Sequence, residues 1–194
     1  MPPAEGGGTE IIMKKRITSL LPAAVLAMLL AACGSSSSIV LPRDGYAQGG
    51  TGDTMRTYFF DFTLDNAYTC SRYEGYIPTP GYDLLAVELT VRNTFQEAVT
   101  MFDWDFIVLY DDNTGEEQIY DYPLTSYEDL ELPEAALETL LPSEYDLEKG
   151  ESRTGLLLFE VPAGDTAFTV SYQEFFEDDT TGDTFSVDIA ATRR

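Results

Sequence analysis

Apolar and polar residues alternate with a period of two in six separate stretches of this chain. A polypeptide so patterned has few ways to fold other than into layered β-sheets. Tyr58, Phe60, Phe62 and Leu64 alternate with Phe59, Asp61, Thr63 and Asp65, and Leu85, Val87, Leu89 and Val91 alternate with Leu84, Ala86, Glu88, Thr90 and Arg92. Successive side chains on an extended strand point to opposite faces, so each run reads as a strand with one face in a core. Trp104, Phe106, Val108 and Tyr110 form a third run, with Trp104 expected as a central core ring, and residues 155–161, 166–172 and 184–190 supply three more. Asp111-Asp112-Asn113-Thr114-Gly115 and Asp178-Asp179-Thr180-Thr181-Gly182 place a glycine where a hairpin calls for positive φ, and Pro162-Ala163-Gly164-Asp165 is a further tight turn. Only residues 133–141 read as a helix, with a proline at its first turn. Many short strands joined by glycine turns predict an all-β antiparallel sandwich or barrel.

The first third of the chain has a different character. Lys14, Lys15 and Arg16 precede an apolar run over residues 17–30, which leads into Leu30-Ala31-Ala32-Cys33 and then Gly34 with serines at 35–38. A basic start, a short apolar stretch and small residues before the cut site make a secretory signal peptide. The run is shorter than the roughly 20 residues a spanning helix needs and contains Pro22. A cysteine directly after Leu-Ala-Ala resembles the lipobox of bacterial lipoproteins. The resemblance implies that Cys33 is the lipid attachment site and the first residue of the mature protein. Residues 1–12 lack leader character, so Met13 is the expected start and residues 13–32 the signal peptide. Residues 33–53, rich in Gly, Ser, Gln and Asp, read as a lipidated flexible tether with a reach of about 25 Å. Residues 54–194 are left for one folded domain.

Charge and missing residue types exclude several functions. From Cys33 onward there are 32 acidic against 8 basic side chains, a formal charge of −24. Such a chain is repelled by nucleic acid and by anionic head groups, leaving basic partners, cations or simple solubility. The sequence has no histidine, which removes the commonest general base, Ser-His-Asp catalysis and the usual zinc sites. Cys70 has no second cysteine to pair with once Cys33 carries lipid. It is either a small buried hydrophobe or a link to another chain.

Three strand segments together resemble a known family: Leu84 through Asn93, Asp105 through Gly115, and Leu147 through Ser152 followed by Thr154 through Pro162. Their order is similar to the immunoglobulin-like domains of unknown function on Gram-positive lipoproteins, a group similar to the mycobacterial immunoprotective secreted antigen. The resemblance spans about residues 57–172. It implies an immunoglobulin-like β-sandwich, an extracytoplasmic role and no catalytic residues or cofactor. The acidic segment of residues 116–151 departs from that pattern.

Four constellations remain as candidate chemistry. Asp111, Asp112, Asn113, Glu116 and Glu117 gather the hard oxygen ligands that calcium prefers, but Gly115 is one place early for an EF-hand and Tyr122 stands where its glutamate belongs. Asp103 and Asp105, two apart on an expected strand, would share a face opposite Trp104, as paired carboxylates of glycoside hydrolases do. Acidic residues are frequent enough here to make that spacing commonplace, and no enzyme is expected. Tyr73, Tyr76 and Tyr82 cluster around Pro78 and Pro80 and would either stack on a ligand or pack in the sheet. Residues 116–151 interleave acid with Tyr120, Tyr122, Tyr127, Leu130, Leu132 and Leu137, which suits either a docking surface for a basic partner or a loop pinned by its apolar side chains. The sequence thus predicts a lipid-anchored extracytoplasmic binding or accessory module. The alternative is a solute- or calcium-binding lipoprotein that uses the acidic turns or a tyrosine cleft.

Overall fold

The computed structural model describes residues 38–111, 118–176, 178 and 180–194; Cys33 and most of the acidic turn after Asp111 lie outside them. Thirteen strands run through the described residues: β1 (Ile39–Val40), β2 (Tyr46–Gly50), β3 (Thr54–Arg56), β4 (Phe60–Cys70), β5 (Tyr82–Asn93), β6 (Val99–Phe102), β7 (Phe106–Asp111), β8 (Gln118–Asp121), β9 (Glu144–Leu147), β10 (Ser152–Pro162), β11 (Ala167–Phe175), β12 (Thr181–Ala190) and β13 (Thr192–Arg193). One short helix, α1 (Glu134–Leu137), lies between β8 and β9.

The strands form a β-sandwich. One sheet has the order β1-β3-β4-β5-β10 with β13 also on β4, the other the order β2-β12-β11-β7-β8, and β6 pairs with β9 in a small third sheet. The long pairings are antiparallel, with β5 and β10 in register from Ser152 opposite Arg92 to Pro162 opposite Tyr82. Three short pairings, β1 with β3, β2 with β12 and β13 with β4, are parallel. The alternation on β4 fills the core with Phe60, Phe62 and Leu64. A bulge then takes up Asp65, so that Ala67 returns to the inner face. Aromatic rings crowd the centre: Phe60 lies 4.9 Å from Tyr172, and Phe62 meets Phe106 edge-on at 5.3 Å. Phe159 and Val161 enter the same core from β10.

β5 is buried on both faces. Leu85, Val87, Leu89 and Val91 face the sandwich core. Leu84 and Ala86 face the other way, into a second cluster with Cys70 and Leu158, covered by Leu124, Ala136 and Leu140 of the acidic segment. Fully burying one such leucine stabilises by roughly 1.5–3 kcal/mol, which is what holds this charged segment to the sheet. The segment also bonds through its backbone, Leu141 N–H to Leu156 O at 2.9 Å and Leu156 N–H to Thr139 O at 3.1 Å. Gly155 permits that approach, since a Cβ there would meet the Leu141 side chain at 2.8 Å. The expected helix of residues 133–141 shortens to the single turn of α1, because Leu140 and Leu141 are drawn onto β10.

Other expectations need correction. Residues 39–53, expected within a flexible tether over 33–53, belong to the folded domain: β1 begins at Ile39 and β2 adds to the second sheet at the stretch Tyr46-Ala47-Gln48-Gly49-Gly50. That strand is specified by backbone pairing with β12 rather than by apolar side chains, and Gly49 leaves the space that the Met55 methyl fills, 2.4 Å from where a Cβ would stand. Trp104 is not a core ring: it sits on a 3-10 turn (Asp103–Asp105), 46% exposed and stacked on Phe102 at 4.5 Å. The Phe102 N–H donates to Asp105 Oδ2 at 2.9 Å and closes this turn, so the third alternating run starts at Phe106. Gly182 has no positive φ; it lies within β12, where a Cβ would stand 2.5 Å from Glu174 Oε2. Gly150 and Gly164 do take positive φ, +79° and +94°, at the turns before β10 and β11.

Candidate functional site

The adjacent residues Phe175 and Phe176, and the triplet Tyr58, Phe59 and Phe60, cannot all enter the core, because neighbouring residues on a strand face opposite ways. The structure gathers the surplus rings at one end of the sandwich. Tyr58 lies 5.0 Å from Phe59, 5.7 Å from Phe95 and 5.7 Å from Phe176, and Phe59 lies 5.4 Å from Phe95 and 5.6 Å from Phe176. Tyr58 is 62% exposed and Phe175 65%. The loop carrying Tyr58 is held by Glu174, a buried carboxylate that accepts the Tyr58 N–H at 2.6 Å and the Asp183 N–H at 3.1 Å. A trough of about 480 Å³ runs beside Tyr58 between Leu41, Arg56 and Phe176. A second of about 240 Å³ is lined by Phe59, Phe102, Tyr172 and Phe175, with Asp105 in its wall. The alternation puts Tyr58 in phase with the core residues Phe60 and Phe62, yet it is exposed, and Phe95, Phe175 and Phe176 stand in none of the alternating runs. The aromatic doublets were the signal that could have found them.

Asp103 and Asp105 do not share a strand face. Asp103 is buried and accepts a hydrogen bond from the Thr125 hydroxyl, which ties the 3-10 turn to the acidic segment, while its Oδ1 has no partner. Burial pushes its carboxyl up. Asp105 is half-buried, and burial, with the nearby Asp103 charge adding a little, pushes its carboxyl up to about 6. Asp105 closes the turn that carries Trp104, and Asp103 ties that turn to the acidic segment.

At the other end of β5 the acidic segment and the β4–β5 connection flank a shallow, open cleft of about 310 Å³ between Tyr76, Tyr127 and Glu160, continuous in its lining with a deeper one of about 270 Å³ between Tyr82, Tyr122 and Asp121. Of the three tyrosines singled out in the sequence, Tyr76 and Tyr82 reach this cleft. Tyr73 instead bonds the Thr139 hydroxyl at 2.6 Å and packs on the second apolar cluster. Tyr76 donates its hydroxyl to Glu160 Oε1 at 2.7 Å, and the Thr79 N–H adds to the same oxygen at 3.1 Å. Tyr127 donates to Asp121 Oδ1 at 2.6 Å, and Tyr110 to Asp121 Oδ2 at 3.3 Å. Burial, then the carboxylate each one bonds, pushes the Tyr76 and Tyr127 phenols up to about 12, so both stay protonated donors.

Cys70 is buried against Leu84 and Ala86, and burial pushes its thiol up, the behaviour of a packing residue. Asp111 ends β7; Asp112, Asn113, Glu116 and Glu117 of the expected calcium turn lie outside the described residues, as does Cys33, the expected lipid-attachment residue. Among the described residues no group of three acidic or sulfur side chains is placed to hold a metal ion, and no helix is long and apolar enough to cross a membrane.

Residues 49–181 match the family model described as Domain of unknown function (DUF4352), more than half of the chain. The chain belongs to this family. Its fold is similar to that of the candidate lipoprotein YcdA of Bacillus subtilis, at 17% identity and a TM-score of 0.52, covering 71% of this chain and 38% of YcdA. It is also similar to Bacillus subtilis YjhA, at 16% identity and a TM-score of 0.50, covering 72% of this chain and 99% of YjhA. A candidate lipoprotein of Staphylococcus aureus aligns over 74% of this chain and 93% of its own length at 13% identity, with a TM-score of 0.47. This chain therefore spans less than two-fifths of YcdA, and at such identities the likeness is one of fold. No curated protein matches it. Family membership and fold bear out the expected sandwich domain of unknown function; the likeness to the mycobacterial antigen group stays a resemblance.

Proposed function

We propose that this protein is a lipid-anchored, non-catalytic binding module on the outer face of the bacterial membrane, and that the aromatic end of the sandwich engages a protein partner. The observation that carries the reading is the contact cluster of Tyr58, Phe59, Phe95 and Phe176, with Tyr58 and Phe175 largely open to solvent. A contiguous aromatic patch of this kind marks an interaction surface, whereas single exposed apolar residues do not. The partner that fits offers an apolar patch within a basic rim, because this chain carries a strongly negative charge with few cations to compensate it. The signal segment and Cys33 support export and lipidation, and a candidate lipoprotein has a similar fold. With β1 starting at Ile39, few residues separate the domain from Cys33. The six steps from Cys33 to Ile39 span at most roughly 20 Å even when extended. The partner then lies in the membrane or close against it.

The test is cross-linking in intact cells followed by affinity capture, with the Tyr58→Ser/Phe175→Ser double variant and Cys33→Ala alongside. The expected result is one discrete partner lost in both variants, and Cys33→Ala found in the soluble or unprocessed fraction. A partner retained by the double variant would move the docking surface elsewhere. Membrane retention of Cys33→Ala at mature mass would remove the lipid anchor.

A further inference from the structure

We infer that the cleft between the acidic segment and the end of β5 binds a small organic cation carrying an ammonium group. Its walls are the rings of Tyr76, Tyr82, Tyr122 and Tyr127, and its carboxylates are Asp121, Asp129 and Glu160. None of the residues lining it is basic, so its negative charge has no counter-ion in place. Two of the carboxylates are set in position before any ligand arrives. Glu160 is fixed through Oε1 by Tyr76 and Thr79, which leaves Oε2 free, and Asp121 is fixed by Tyr127 and Tyr110. Carboxylates held this way, beside aromatic faces, are the recognition elements for ammonium ions: a charge-assisted hydrogen bond or ion pair on one side and the ring quadrupole on the other.

The alternatives fit less well. The carboxylates are not clustered as a metal ion requires. An anion would meet only negative charge, and a neutral sugar would leave that charge unanswered. The volume, about 310 Å³ in the larger part, is at the small end of ligand sites, which suits an amine of a few carbons. The same ammonium chemistry occurs in a free amine solute and in a lysine side chain. The site is separate from the aromatic end, so the outcome here is independent of the partner-docking reading.

The experiment is calorimetric titration of the full chain in a non-ionic detergent at low and at physiological salt. The probes are choline, 1,4-diaminobutane and Nα-acetyl-lysinamide, with 3,3-dimethylbutan-1-ol as the uncharged isostere of choline. At least one ammonium probe is expected to bind saturably, more tightly at low salt, while the isostere does not bind. Glu160→Gln keeps an oxygen for Tyr76 and Thr79 but removes the charge, and is expected to weaken binding by about tenfold, the scale of one hydrogen bond to a charged group. Tyr127→Phe keeps the ring but removes the shorter of the two hydroxyl bonds that position Asp121, and is expected to weaken binding severalfold with the melting temperature little changed. Binding of the diamine without the lysine analogue would assign a free solute, and binding of both would admit a side chain as ligand. No saturable binding by any ammonium probe at millimolar concentration would overturn the inference. So would equal binding of the isostere, or binding indifferent to both variants.

Discussion

Strand β5 ends in two aromatic surfaces about 36 Å of strand apart, and they are built on opposite principles. At the Asn93 end, phenylalanines and Tyr58 touch ring to ring, and the carboxylate that holds the Tyr58 loop, Glu174, is buried and spent on backbone N–H groups. At the Tyr82 end, tyrosines turn their hydroxyls to carboxylates that remain partly open to solvent. The first arrangement removes charge from an apolar surface, and the second presents charge inside an aromatic frame. One fold thus carries an apolar aromatic surface and an acidic, tyrosine-lined cleft, and a substitution that is ruinous at one end should be mild at the other.

The glutamates are the sharpest way to break that contrast. Glu174→Ala leaves the Tyr58 and Asp183 N–H groups without their buried acceptor and opens a void beside Gly182. It should cost about 3 kcal/mol in denaturant unfolding. Glu160→Ala removes an acceptor that is half-buried and water can replace, so it should cost about 1 kcal/mol or less. Equal losses would mean that Glu160 is a structural carboxylate too, and the distinction between the two ends would fail.

A smaller effect concerns the floor of the aromatic end. Asp105, in the wall of the trough between Phe59, Phe102 and Phe175, has a carboxyl pushed up to about 6, chiefly by burial. A carboxyl whose folded value lies above its unfolded value of about 4 favours folding while protonated. That contribution is fully present below about pH 4 and is lost as pH rises through about 6. Asp105→Asn holds the neutral form at every pH and still accepts the Phe102 N–H. It should therefore be more stable than the parent by about 2 kcal/mol at pH 7, partial exposure reducing the full shift, and no more stable at pH 4. Unfolding curves at the two pH values decide it; a difference that does not grow between them would place the Asp105 charge in water.

The sandwich was legible because burial on one face leaves a periodic trace. On β5 even the second burial showed, as Leu84 and Ala86 in the phase where polar residues were due. The pinning of the acidic segment was legible only in part: Leu130 and Leu132 pack on the second cluster, but Tyr120, Tyr122, Tyr127 and Leu137 are exposed and Leu124, Ala136 and Leu140 are buried in their place. Strands β1 and β2 left no such trace, because Gly49 and Gly50 pair through backbone alone. The two surfaces were harder still. Tyr58, Phe95 and Phe176 belong to three separated segments, and Tyr82, Tyr127 and Glu160 to three others. Which strand ends meet is a long-range property that no local pattern carries. Phe175 beside Phe176 could at most say that one ring is left over.

Trp104 gives the smallest effect and the most direct check on that reasoning. As a core ring its removal would cost about 3–5 kcal/mol, the penalty of emptying a buried aromatic site. On the 3-10 turn it is nearly half exposed, and it gains its stacking on Phe102 without closing any cavity. Trp104→Ala should then lower stability by less than about 1 kcal/mol, the value of one exposed aromatic pair. The turn itself should persist, since Asp105 and the Phe102 N–H close it without the indole. The native tryptophan fluorescence offers an independent reading, because Trp104 is the single tryptophan of the chain. Its emission should sit near that of a solvated indole and be quenched readily by iodide or acrylamide in the folded state. A blue-shifted, protected emission or a multi-kcal/mol loss would return Trp104 to the core. It would also withdraw the stacked Phe102–Trp104 pair from the exposed aromatic end.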